Sequence, residues 1–311
     1  MTSSLLFVPL TVFAGGLLAV QAGANAQLSR ATRSPLAAST LQLGVGMSLL
    51  ALAALAAGAP SALTPFPAVE WWQWLGGLAS AVYVTSAIVL FPRLGAIVTV
   101  GLFIAGQMAS SLVLDGAGLL GVDREPIGVG DGLGAGGALA GTALIVGSEA
   151  GGGTTRRTPA REVGWTLLAL VAGALLPMQG AVNAELRAAI GEPLAVGAVS
   201  FVVATVAMAL ALLLFLRLTS TPSPRLAQLP SVPWWGWLGG VCGAIYVTSV
   251  FSAIPAIGAA AAIGLTIAGQ QLASVLFDRY GLMSLPRRPV TRTRLAGVSL
   301  LLVSVVLIQA S

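Results

Sequence analysis

Runs of about twenty apolar residues follow one another along all 311 positions of the chain, broken only by short segments of charges, prolines or glycines. A helix of that length matches the hydrocarbon core of a bilayer, and a helix satisfies its own backbone hydrogen bonds there. Ten such runs can be marked off, near 5 to 26, 36 to 57, 71 to 91, 94 to 114, 128 to 147, 163 to 183, 194 to 216, 234 to 254, 256 to 277 and 291 to 309. Charged residues are 8% of the chain, against about 25% in soluble proteins, so a water-wetted surface is missing. The expected class is an all-α integral membrane protein with ten transmembrane helices. A soluble enzyme is excluded. The first run has no basic residue before it, and Gln21 and Asn25 interrupt what would be a cleavage region, so it is expected to stay as a helix.

Positions 148–162 are polar and glycine-rich and divide five runs from five, giving a first unit at 1–147, a linker at 148–162 and a second unit at 163–311. The units repeat one another. Gln21-Ala-Gly-Ala-Asn25-Ala returns as Gln179-Gly-Ala-Val-Asn183-Ala, and Pro35-Leu-Ala returns as Pro193-Leu-Ala at the same offset. After a five-residue insertion in the second unit, Trp71-Trp72-x-Trp74, Tyr83-Val-Thr85-Ser86 and Ala105-Gly106-Gln107 return as Trp234-Trp235-x-Trp237, Tyr246-Val-Thr248-Ser249 and Ala268-Gly269-Gln270. Five helices per repeat is an odd number, so the second copy enters the membrane from the opposite side. The halves are therefore expected to be inverted relatives.

The arginines test that expectation. All fifteen basic residues are arginine. The segments after runs 1, 3, 5, 7 and 9 hold thirteen of them; the other side holds only Arg124 and Arg187. Equivalent loops differ in charge, as inversion requires, and the positive-inside bias puts both termini outside the cytoplasm. The net charge of +5 is thus spent on orientation, and no nucleic-acid partner is expected.

Polar side chains within the runs are the informative ones, because each needs a partner in hydrocarbon. Gln21 and Asn25 are one helical turn apart, as are Gln179 and Asn183, so each pair shares a face. Amides donate and accept, which suits a polar ligand, although such residues also bridge packed helices. Tyr83 and Tyr246, with Thr85, Ser86, Thr248 and Ser249 nearby, form a second symmetric set that could wall a cavity or simply pack. Gln107, Gln270 and Gln271 are expected to join helices. Pro177, where the first half has Ala19, could break its helix or be tolerated as a kink. The tryptophan clusters fit interface belts. In the fifth run, Gly132, Gly134, Gly136, Gly137 and Gly141 allow close helix approach; the GxGxxG pattern there follows no strand, so no dinucleotide site is expected. Asp131 fits a helix cap. With no histidine and one cysteine, Cys242, neither a metal site nor a cofactor is expected, and no catalytic residue can be named. The acids lie at run ends or in loops, which argues against proton coupling through a buried carboxylate.

Taken together, the repeated Gln-x-x-x-Asn-Ala, Tyr-Val-Thr-Ser and Ala-Gly-Gln segments resemble the YdcZ branch of the drug/metabolite transporter superfamily, as a fused pair of units. The resemblance implies an exporter of the inner membrane with largely unassigned substrate. Small multidrug-resistance members of the superfamily carry an essential glutamate in their first helix, where Gln21 and Gln179 fall here, which sets proton-coupled export of cationic drugs aside. The resemblance also implies cytoplasmic termini, against the arginine count, which we follow. The resulting expectation is a multi-pass plasma- or inner-membrane transporter that moves a small polar molecule by alternating access. Its site would be Gln21, Asn25, Tyr83, Gln179, Asn183 and Tyr246. It would act as a monomer or homodimer in the lipid bilayer. The alternatives are a scaffold or sensing subunit that does not translocate, and an intramembrane enzyme, for which neither a nucleophile with its base nor a metal cluster can be assembled.

Overall fold

A computed structural model describes residues 2–58, 69–122, 124, 128–150, 159–220, 222–257 and 259–309. Ten long α-helices carry these residues, and no strand occurs among them. They are α1 (Thr2–Thr32), α2 (Pro35–Ala56), α3 (Gly77–Leu94), α4 (Ala96–Ala117) and α5 (Val129–Ala150), then α6 (Pro159–Ile190), α7 (Pro193–Leu218), α8 (Leu238–Ile257), α9 (Ala259–Tyr280) and α10 (Arg292–Gln309). Among the described residues six segments are long and apolar enough to cross a bilayer: Leu6–Thr32, Pro35–Ala56, Trp71–Leu94, Ala96–Leu114, Val163–Ile190 and Pro193–Leu218. An all-helical membrane protein fits both findings.

The repeated motifs mark helix boundaries. Ser34 caps α2 by accepting from Ala37 N, with Pro35 at the first helical position; Glu192 and Pro193 start α7 in the same way, through Leu194 N. Just before each cap the chain turns through a left-handed residue, Arg33 at φ 55° and Gly191 at φ 81°. The tryptophan motifs form short 3₁₀ turns, Trp71–Gly76 and Trp234–Trp237, ahead of α3 and α8. Their leading rings, Trp71 and Trp234, stand 73% and 75% exposed, as interface anchors do.

Helices α1 and α6 exceed their expected runs of 5 to 26 and 163 to 183. Their added turns carry Gln27, Arg30, Glu185 and Arg187, which are good helix formers, so polarity alone ends nothing; the turns before Pro35 and Pro193 do. At about 45 Å each, both outreach a hydrocarbon core of about 30 Å. Pro177 does not interrupt α6, which is helical on both sides of it, so the broken-helix reading is set aside. Most of the expected 148–162 linker lies outside the described residues, although α5 and α6 reach into its two ends.

Packing joins the halves more than it closes either one. Helix α1 lies against α8 and α9; the equivalent α6 lies against α3 and α4; α2 faces α7 and α5 faces α10. Glycines permit these approaches at matching positions. A Cβ on Gly15 of α1 would meet Thr266 O of α9 at 1.9 Å, and one on the equivalent Gly173 of α6 would meet Phe103 O of α4 at 2.1 Å. In return, Gly269 abuts Val12 O and Gly106 abuts Leu170 O. The notches are thus reciprocal, backbone against backbone. On α5, Gly137 and Gly141 face Ser304 and Gly297 of α10, whereas Gly132 and Gly136 meet nothing within 4 Å. Asp131 accepts from Gly128 N at 2.8 Å, as a cap at the start of α5.

One buried carboxylate fastens the halves at a helix end. Asp278, in the last turn of α9, accepts from Ala96 N at 2.8 Å and Ile97 N at 3.0 Å, capping the positive N-terminus of α4. Arg288 reaches back over the same turn and donates to Arg93 O at 2.9 Å.

Candidate functional site

Midway along α1, α3, α6 and α8 the polar residues of the repeats converge. They surround a small cavity of about 30 Å³, room for one or two waters. Its walls are Leu18, Gln21, Leu43, Ser80, Tyr83 and Val84 from the first repeat, and Leu176, Gln179, Phe201, Gly243, Tyr246 and Val247 from the second. Aligned by the duplication, these are equivalent residues taken pairwise: Leu18 with Leu176, Gln21 with Gln179, Leu43 with Phe201, Ser80 with Gly243, Tyr83 with Tyr246 and Val84 with Val247. The cavity therefore sits where the two copies face each other.

Each cavity glutamine reaches the third helix of the opposite repeat. Gln179 exchanges hydrogen bonds with Ser80 on α3, its Nε2 donating to Oγ at 2.7 Å while the hydroxyl lies 3.0 Å from its Oε1. Gln21 lies over the equivalent Gly243 on α8, where a Cβ would come within 2.7 Å of its Nε2. Lacking a hydroxyl there, Gln21 donates instead to Gln42 Oε1 on α2, at 3.3 Å. The tyrosines lie between. Tyr83 OH accepts from Gln270 Nε2 at 2.8 Å, and its ring centroid is 4.8 Å from that of Phe103. Tyr246 is hydrogen-bonded with Thr266.

Asn25 and Asn183 are placed differently. Both are buried at 1% exposure, a turn beyond the cavity, against glycines at the starts of the third helices, Gly76 at the cap of α3 and Gly239 in the first turn of α8. A Cβ at Gly239 would meet Asn25 Oδ1 at 1.8 Å, and one at Gly76 would meet Asn183 Oδ1 at 2.3 Å. Asn183 Nδ2 donates to Ser200 Oγ at 3.3 Å. Neither Oδ1 has a conventional donor among the described residues, so the close Cα–H of each glycine is its neighbour. Four of the six expected site residues thus share one cavity, and two brace the turns beside it. Thr85 leaves the cavity and bonds Ser39 Oγ on α2 at 2.9 Å. Ser80 was not among the expected residues; it lies one helical turn before Tyr83, and that spacing could have found it.

Among the described residues the lining carries no charge, so hydrogen bonding, ring stacking and apolar contact are the forces it can exert on a ligand. Among the described residues no group of three His, Cys, Asp or Glu side chains gathers to hold a metal ion, and Cys242 is buried alone on α8.

A family model described as "Putative inner membrane exporter, YdcZ" matches residues 6–144 and again 164–307, once over each repeat. The chain belongs to the YdcZ family. It is a multi-pass protein of the inner membrane, of a family of exporters, with a small molecule as cargo and lipid as surroundings. No curated protein matches it. A solved structure described only as "Crystal structure of protein" superposes with a TM-score of 0.62 at 16% identity, covering 99% of this chain and 97% of that one. That likeness concerns the fold alone, over nearly the whole of both chains, and carries nothing about cargo.

Proposed function

We propose that the protein moves a small, polar, uncharged molecule across the inner membrane by alternating access, the two repeats standing inverted and rocking about the cavity between them. The observation that carries this reading is the pairwise equivalence of the cavity walls. A pocket built from the same positions of both copies lies where a motion of one against the other opens it to either side in turn. The cavity, at about 30 Å³, is far smaller than any metabolite, so the walls must separate to admit cargo. Gln21, Gln179, Tyr83 and Tyr246 would contact the cargo, and Asn25 and Asn183 would hold the glycine turns on which α3 and α8 pivot. A charged cargo would be buried there without a counter-charge, which is costly at mid-membrane. Nor, among the described residues, does a carboxylate line the cavity to couple cargo to protons.

The test is direct. A thermal-shift screen of neutral amino acids, sugars, nucleosides and other polar compounds identifies a ligand, and its flux into proteoliposomes is then measured. Gln21→Ala and Gln179→Ala together should abolish flux while leaving the thermal midpoint within a few degrees. Undiminished flux would sink the site; ligand binding with no flux by the native protein would favour a sensing subunit.

A further inference from the structure

The two tyrosines at the cavity are held unequally. Tyr83 takes its hydrogen bond from Gln270 of the opposite repeat, at 2.8 Å. The equivalent donor to Tyr246 is Gln107, yet Gln107 Nε2, in a side chain 4% exposed, has no acceptor among the described residues. Tyr246 is bonded within its own repeat to Thr266. The position equivalent to Thr266 is Phe103, which offers Tyr83 a ring face and no hydroxyl. Tyr83 and Tyr246 line the same cavity. A buried amide donor without an acceptor costs free energy, and its retention asks for a reason.

We infer that Gln107 is the partner of Tyr246 in a second conformation of the protein, in which the bond between Tyr83 and Gln270 is released. The inference rests on the alternating-access reading above. Two equivalent repeats can exchange their conformations at small energetic cost, and a contact then made from the first repeat to the second becomes one made from the second to the first. Gln107 gains the acceptor it lacks, and Gln270 gives one up. The exchange is not quite even. In the present form both tyrosines are bonded, while in the exchanged form Tyr83 faces Phe103 and has no hydroxyl to turn to. One hydrogen bond therefore biases the resting protein toward the form described here. Gln107 and Gln270 are positioning residues on either arm of a balance whose beam is the tyrosine pair.

The test uses spin-label distances at both ends of the full-length protein in lipid nanodiscs, with Cys242→Ser as background and no cargo added. One label pair is placed at Arg30 and Leu282, and the equivalent pair at Ala188 and Leu119. Gln270→Leu should raise the population of the second distance at both ends by about fivefold, the worth of one buried hydrogen bond, and Gln107→Leu should lower it by a similar factor. In a Tyr246→Phe background Gln107→Leu should have no further effect. Thr266→Val, which removes the present partner of Tyr246, should act in the direction of Gln270→Leu and serves where that variant does not fold. Shifts of the same sign for the two glutamines, an undiminished effect of Gln107→Leu in the Tyr246→Phe background, or a single unmoved distance in every variant each overturn the inference. Cargo flux by the same variants separates the two failures: sustained flux leaves alternating access standing and dismisses only the exchange of glutamines.

Discussion

At the scale of single residues, the two asparagines have the clearest consequence for stability. Each carbonyl oxygen occupies the space a methyl group would take on Gly239 or Gly76, and each asparagine is walled in at 1% exposure. Gly239→Ala and Gly76→Ala should each cost about 1–3 kcal/mol, read as a lowered thermal midpoint in detergent, with the two effects nearly equal because the environments are equivalent. A loss at only one of them would break the equivalence. The sequence spacing of Gln21 with Asn25 put both on one face, which holds, but a helix face is wide enough to divide them between a cavity and a packed turn. Spacing alone could not make that division. It depends on Gly76 and Gly239, far along the chain and in the opposite repeat. Ser80 and Gln42 escaped for the same reason: each is an ordinary helix residue until an opposing glutamine gives it a role.

At the scale of the helix, apolar runs and repeated motifs made the existence and order of the elements legible, since uninterrupted apolar runs of about twenty residues satisfy their backbone in a bilayer as helices. Lengths were less legible. Helix α1 runs on through Gln27 to Thr32, because what stops it is the Ser34-Pro35 start of α2 and not the end of hydrophobicity. Which glycines matter was hidden as well. Gly173 and Gly180 lie two turns apart on α6 and look alike, yet a Cβ on the first would meet Phe103 O at 2.1 Å and a Cβ on the second meets nothing within 4 Å. Gly173→Ala should therefore destabilise by at least about 2 kcal/mol, since a backbone carbonyl cannot step aside as a side chain can. Gly180→Ala should leave stability unchanged or raise it by up to about 1 kcal/mol through helix propensity. Thermal unfolding of the two variants side by side checks the contrast.

At the scale of the whole molecule, the sign of the arginine distribution bears on which way the protein lies in the membrane. Thirteen of its fifteen arginines fall on one side of the predicted topology, the side opposite the termini. Reporter fusions at the N- and C-termini should both score as lying outside the cytoplasm; cytoplasmic signals from both would mean that features other than arginine govern insertion. The same symmetry that makes this a question of sign also decides how the chain must be built. Helix α1 finds its tightest neighbours in α8 and α9, and α6 finds its own in α3 and α4. When a ribosome has delivered the first five helices, most of the surfaces they are shaped to meet have not yet been synthesised. Those helices must wait in the lipid, threaded but unassembled, until their counterparts arrive.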